Sequence, residues 1–138
     1  MLIVSACLLG KNCKYNGGNN RNERVIRICE EEGFIPICPE EMGGLPTPRT
    51  PAEIVGNRVL TEDGRDFTAN FKRGAEISLR IAKENNIEKA LLKSKSPSCG
   101  CGKIYDGSFK RKLIIGNGIT AKLFIENGIE VLTEEDID

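Results

Sequence analysis

Four short apolar runs punctuate the chain: Leu2–Ala6, Phe34–Ile37, Ala90–Leu92 and Ile129–Leu132. Each is too short for a helix and reads as a strand, and Leu2–Ala6, rich in branched residues, reads as a buried one. Helical patterns separate them. Asn20 or Asn22 caps a helix through about Glu32, with Val25, Ile26, Ile28 and Cys29 as its apolar face and Gly33 as its stop. A longer helix runs from near Thr68 to Asn85 on a stripe that includes Phe71, Ala75, Leu79 and Ala82. A third begins at Gly118 or Thr120 and ends at Gly128. Strands that alternate with helices need crossover connections, which makes the sheet parallel and puts helices over it. The expected fold is α/β: a three-layer single domain over residues 1–138, with a mostly parallel sheet of about four strands and helices on both faces. A chain of 138 residues suits one such core. Outside this frame lie a proline-rich loop from Pro39 to Pro51, a small hairpin around Gly56-Asn57, and an irregular excursion over 102–113 with room for another short hairpin.

The first strand ends at Cys7, the second at Cys38, and the loop after the third carries Cys99. Parallel strands place these three loops at one edge of the sheet, where ligands gather in open α/β folds. Thiolates are soft ligands suited to zinc or iron–sulfur clusters. The chain has six cysteines and no histidine. Sites that need imidazole are therefore excluded, as are Ser-His and Cys-His dyads. The two-residue spacing of a structural zinc knuckle is missing. Buried cysteine is also an ordinary small hydrophobe, and Cys29, in a helix stripe, reads that way. Packing is favoured over ligation for Cys101. Cys13 is open between ligand, resolving thiol and neighbour of the site.

Net charge is zero, from 20 basic and 20 acidic residues, which argues against a nucleic acid duplex as partner. The N-terminal residues lack a signal-peptide pattern, and no run approaches the roughly 20 apolar residues of a membrane helix. A cytoplasmic location with reduced thiols, and no membrane partner, is the expectation.

Several ordered blocks carry a family resemblance: Ser5-Ala6-Cys7-Leu8-Leu9-Gly10, Cys13-Lys14-Tyr15-Asn16-Gly17, Cys38-Pro39-Glu40, Gly43 through Arg49, Lys93 through Gly100, and Ile104-Tyr105-Asp106-Gly107. With these the chain resembles the thiouracil desulfidase family, formerly a domain of unknown function, over nearly its whole length. The resemblance implies a [4Fe-4S] cluster held by three cysteines, by position Cys7, Cys38 and Cys99. It implies non-redox removal of sulfur from a thiolated nucleobase or related thioamide. It also implies Glu40 and Ser96 as catalytic carboxylate and hydroxyl. The chain departs from the family's usual Arg-Tyr-Asp-Gly in having Lys14 and Asn16, and lysine lacks arginine's planar fork.

On this reading an open iron polarises the thiocarbonyl, Glu40 serves as general base for water, and Ser96 orients the substrate. The plainer alternatives are an exposed loop carboxylate for Glu40 and a turn residue for Ser96. Lys93 and Lys95 read as solvated strand-end cations, Tyr15 as a stacking or half-buried ring, and Arg49 as a carboxylate partner or a brace for the proline-rich loop. Two competing functions are a cysteine-ligated structural metal, and thiol-redox chemistry through Cys99 and Cys101 or Cys7 and Cys13.

Overall fold

The computed structural model describes residues 1–137. Its central sheet contains β1 (Leu2–Ser5), β2 (Phe34–Ile37), β5 (Lys89–Leu92) and β8 (Glu130–Thr133), all parallel, in the order β2-β1-β5-β8. This is the α/β architecture expected. The order reverses between β1 and β5, so a crevice opens at their carboxyl ends.

Period-two alternation sorts the core into two layers. Leu2 and Val4 of β1 and Leu91 of β5 meet Val25 and Cys29 of α1 (Glu23–Glu32) on one face. Ile3, Ile37, Ala90 and Leu92 meet Ala82 of α3 (Thr68–Glu84) and Ala121 and Phe124 of α4 (Ile119–Glu126) on the other. Asn22 caps α1, its Oδ1 accepting the N–H groups of Arg24 and Val25.

Two small antiparallel ribbons sit outside the sheet. β3 (Ala52–Val55) pairs with β4 (Arg58–Thr61) around Gly56-Asn57, and β6 (Lys103–Tyr105) pairs with β7 (Leu113–Ile115). The irregular excursion over 102–113 is therefore largely a hairpin. Val59 and Leu45 pack with Phe71 of α3 in a third apolar cluster, which ties the first ribbon to the body.

The proline-rich loop differs from expectation at its start. Pro39–Met42 forms a one-turn helix, α2, with Cys38 at its N-cap. Proline suits this first turn because the missing N–H would have no partner there. Gly43 and Gly74 let α2 lie against α3 backbone to backbone: a Cβ on Gly74 would overlap the Pro39 carbonyl, and one on Gly43 the Asn70 carbonyl. That contact fixes the segment that carries Cys38 and Glu40.

Candidate active site

The crevice is a cavity of about 520 Å³, within the ~300–1,000 Å³ range of small-molecule sites. Cys7, Cys38, Cys99, Glu40 and Ser96 all line it. Cys7 sits in the 3-10 turn Ala6–Leu9 that continues β1, Cys38 caps α2 after β2, and Cys99 lies in the loop after β5. All six cysteines are free thiols. Among the described residues no three Cys, Asp or Glu side chains stand close enough to chelate a single metal ion.

The three thiols differ in electrostatics. Burial raises the Cys7 pKa, opposed by the amide of Asn20, whose Nδ2 donates to Cys7 Sγ at 3.4 Å. Burial pushes Cys99 up to about 12, opposed by a hydrogen bond with Ser5. Cys38 is lowered to about 7, first by its hydrogen bond with the Cys13 thiol and then, against its burial, by the Glu41 backbone N–H and the Arg49 guanidinium. Through space, Glu40, Cys7 and Cys38 each raise Cys99 further.

Cys13 also lines the cavity and is 2% exposed. Its thiol is held up by the hydrogen bond with Cys38, and its carbonyl accepts from Cys38 Sγ at 3.8 Å and Arg49 Nη2 at 2.9 Å. It is a neighbour of the Cys38 sulfur. Cys101 instead turns to β8, its Sγ donating to the Val131 carbonyl at 3.8 Å, and Cys29 is buried under α1.

Glu40 is gripped by Arg49. Nε donates to Glu40 Oε2 at 2.7 Å and Nη2 to the same oxygen. Arg49 Nη1 also reaches Thr47 Oγ1 at 3.0 Å, and its backbone N–H donates to the Tyr15 carbonyl at 2.7 Å. Arg49 thus performs both roles the sequence left open, pairing a carboxylate and bracing the proline-rich loop. Ser96 Oγ accepts the N–H groups of Ser98 and Cys99, each at 3.1 Å. It is a turn residue that lines the cavity, and its Oγ–H donates none of the described hydrogen bonds.

Lys93 is half-buried rather than solvated. Its Nζ meets Glu134 Oε2 at 3.1 Å and Ser94 Oγ at 3.0 Å. Lys95 pairs with Glu135 at 3.4 Å. Sequence reasoning missed Glu134, Asn20 and Glu53. Glu134 was accessible through strand register: Leu92 pairs with Thr133, so the residue after β8 stands beside the residue after β5. Glu53 Oε1 accepts the Gly107 and Phe109 N–H groups at 3.0 and 3.2 Å and so holds the β6–β7 turn over the cavity. Lys95, Phe109 and Arg111 line the cavity at φ values of +66°, +60° and +58°. Such left-handed conformations cost a non-glycine residue about 1–2 kcal/mol and cluster at ligand sites.

Residues 2–136 match the family described as 2-thiouracil desulfurase. The chain belongs to this family. As a 2-thiouracil desulfurase family member it aligns over its full length, at 39% identity, with uncharacterized protein YbbK of Bacillus subtilis (strain 168), covering 98% of that protein. The solved structure of TudS, a [4Fe-4S]-dependent thiouracil desulfidase, superposes with a TM-score of 0.93 at 44% identity, over 99% of this chain and 91% of that one. No helix among the described residues is long and apolar enough to cross a membrane.

Proposed function

We propose that the chain hydrolytically removes sulfur from a thiolated pyrimidine such as thiouracil, at a [4Fe-4S] cluster held by Cys7, Cys38 and Cys99. The carrying observation is the convergence of these three thiols, from three strand-end loops, on one cavity that also contains Glu40 and Ser96. Their donor chemistry fits the cluster: soft sulfur ligands, unpaired with one another in disulfides, dispersed around a cavity rather than gathered at a single-ion site. A cluster with three protein ligands supplies a Lewis-acidic iron with a position open to a soft thiocarbonyl sulfur.

The chain's residues supply the rest. Arg49 fixes Glu40 through Oε2, leaving Oε1 to take a proton from the attacking water. Water oxygen replaces sulfur at the ring carbon, so thioamide and water become the oxo base and hydrosulfide with one proton released and no net change of oxidation state. Ser96 Oγ–H donates to the pyrimidine and orients it. Tyr15, Tyr105 and Phe109 provide ring faces along the cavity wall.

Anaerobic reconstitution followed by iron, sulfide and product analysis tests the reading. Four irons per chain, with release of sulfide from 2- or 4-thiouracil, are expected. A fully loaded protein that releases no sulfide from any thiolated base overturns it.

A further inference from the structure

Asn20 holds Cys7 at two points. Its backbone N–H donates to the Cys7 carbonyl at 2.9 Å, and its Nδ2 reaches the Cys7 sulfur at 3.4 Å. The loop from Gly10 folds back along the end of β1 to make this contact, and Asn22 N–H to the Leu8 carbonyl at 2.9 Å continues it. Asn20 also lines the cavity.

We propose that Asn20 is a positioning residue for the cluster: its side-chain amide donates a hydrogen bond to the Cys7 sulfur when that sulfur is an iron ligand. This rests on the assignment of Cys7 as a ligand. A thiol could donate to an amide oxygen, but a metal-bound sulfur carries no proton, so only the NH2 group of the amide can complete the contact. Donation draws charge from the sulfur and stabilises the more negative, reduced cluster. The bond thus sets the cluster's electron affinity and restrains the Cys7 rotamer. Loop closure alone does not require it, because the backbone N–H of residue 20 makes the closing bond whatever the side chain.

The test is a redox titration of anaerobically reconstituted wild-type, Asn20→Ala and Asn20→Asp proteins. Asn20→Asp keeps the side chain's shape and removes the donor, which covers the case in which the alanine variant folds poorly. Asn19→Ala is the control, since Asn19 bonds Asn12 and the Arg21 N–H in the same loop and touches no sulfur. Both Asn20 variants should shift the balance between oxidised and reduced cluster about tenfold toward oxidised, about 59 mV for a one-electron couple, with Asn19→Ala at the wild-type potential. Wild-type potentials in both Asn20 variants, or an equal shift in Asn19→Ala, overturn the proposal while leaving the cluster reading intact. A wild-type chain that takes up no iron and sulfide overturns both.

Discussion

Arg49 binds Glu40 through a single carboxylate oxygen. Nε and Nη2 both donate to Oε2, the pair is largely buried at 6% and 15% side-chain exposure, and Oε1 accepts none of the described hydrogen bonds. The arrangement orients the carboxylate and leaves one oxygen for chemistry. It also locks α2 to the loop that carries Cys13, whose carbonyl accepts from the same guanidinium.

Glu40→Gln should therefore lower kcat by about 10²–10⁴-fold, the usual contribution of a general base, with iron content unchanged. The amide keeps an oxygen for Arg49 and loses the basic site. Arg49→Lys should also lower kcat, because a point charge cannot supply two directed donors and still brace Thr47 and Cys13. Arg49→Ala should in addition destabilise the fold by about 3–5 kcal/mol, the cost of leaving one partner of a buried pair alone. Single-turnover kinetics beside iron analysis and chemical denaturation separates these outcomes. Full turnover in a cluster-loaded Glu40→Gln protein would remove Glu40 from the role of base.

Serine substitution at Cys7, Cys38 or Cys99 should abolish stable loading, whereas Cys101→Ser and Cys29→Ser should keep it. Cys101 faces the Val131 carbonyl and Cys29 faces the α1 core. Cys13→Ser is the informative intermediate. It should load iron and bind it less firmly, because serine preserves a hydrogen bond toward Cys38 with a shorter reach. Iron release to a chelator, followed for the six variants under anaerobic conditions, ranks them. Loss of loading in Cys13→Ser together with retention in Cys38→Ser would reassign the ligand set.

The strands and major helices were legible because their patterns are local. Leu2–Val4 and Phe34–Ile37 are continuous apolar runs, and Thr68–Glu84 has a helical stripe. The cysteines were legible as a group because parallel topology turns three distant strand ends into neighbours. What the sequence hid depends on register or on single contacts. α2 escaped notice because four residues carry no period and Pro39 suggests a break as readily as a first turn. Asn20 looked like a cap for α1, yet Asn22 takes that role and Asn20 turns to Cys7. Arg49 finds Glu40 across a proline-rich loop whose path no pattern encodes.

Glu134 gives the site a pH-dependent anchor. Burial opposes its charge, but the Ser94 hydroxyl and N–H and the Lys93 ammonium hold its carboxyl below the ordinary value of 4.5. A group whose folded pKa is depressed contributes stability above its unfolded pKa and loses it as pH falls through the folded one. Wild-type stability should thus decline as pH drops below about 4.5, and part of that slope should vanish in Glu134→Gln. At neutral pH the variant should lose about 1–3 kcal/mol, the range for a hydrogen-bonded charge. Denaturant titrations from pH 7 to pH 3 provide the check, and an unchanged acid slope in Glu134→Gln would show that other carboxylates dominate it.

Gly74→Ala should damage the fold and the site together. Helix propensity alone favours alanine there, by about 0.8–1.0 kcal/mol, since Gly74 lies inside α3. Packing opposes it: the new Cβ would overlap the carbonyl of Pro39 and press on the Gly43 backbone nitrogen, and neither is a flexible side-chain end that can swing aside. Insertion into a packed interior costs typically 1–3 kcal/mol and sometimes more, so the clash should win. The displaced element is α2, so Cys38 and Glu40 should move with it. A lowered melting temperature should be accompanied by weakened iron retention, which a remote core defect would not produce. Gly64→Ala provides the contrast, because a Cβ there meets nothing within 4 Å and only the positive φ of that residue opposes the change. A Gly74→Ala protein as stable as wild type would mean that α2 is free to shift off α3, and that the backbone contact does not hold the cysteine loop in place.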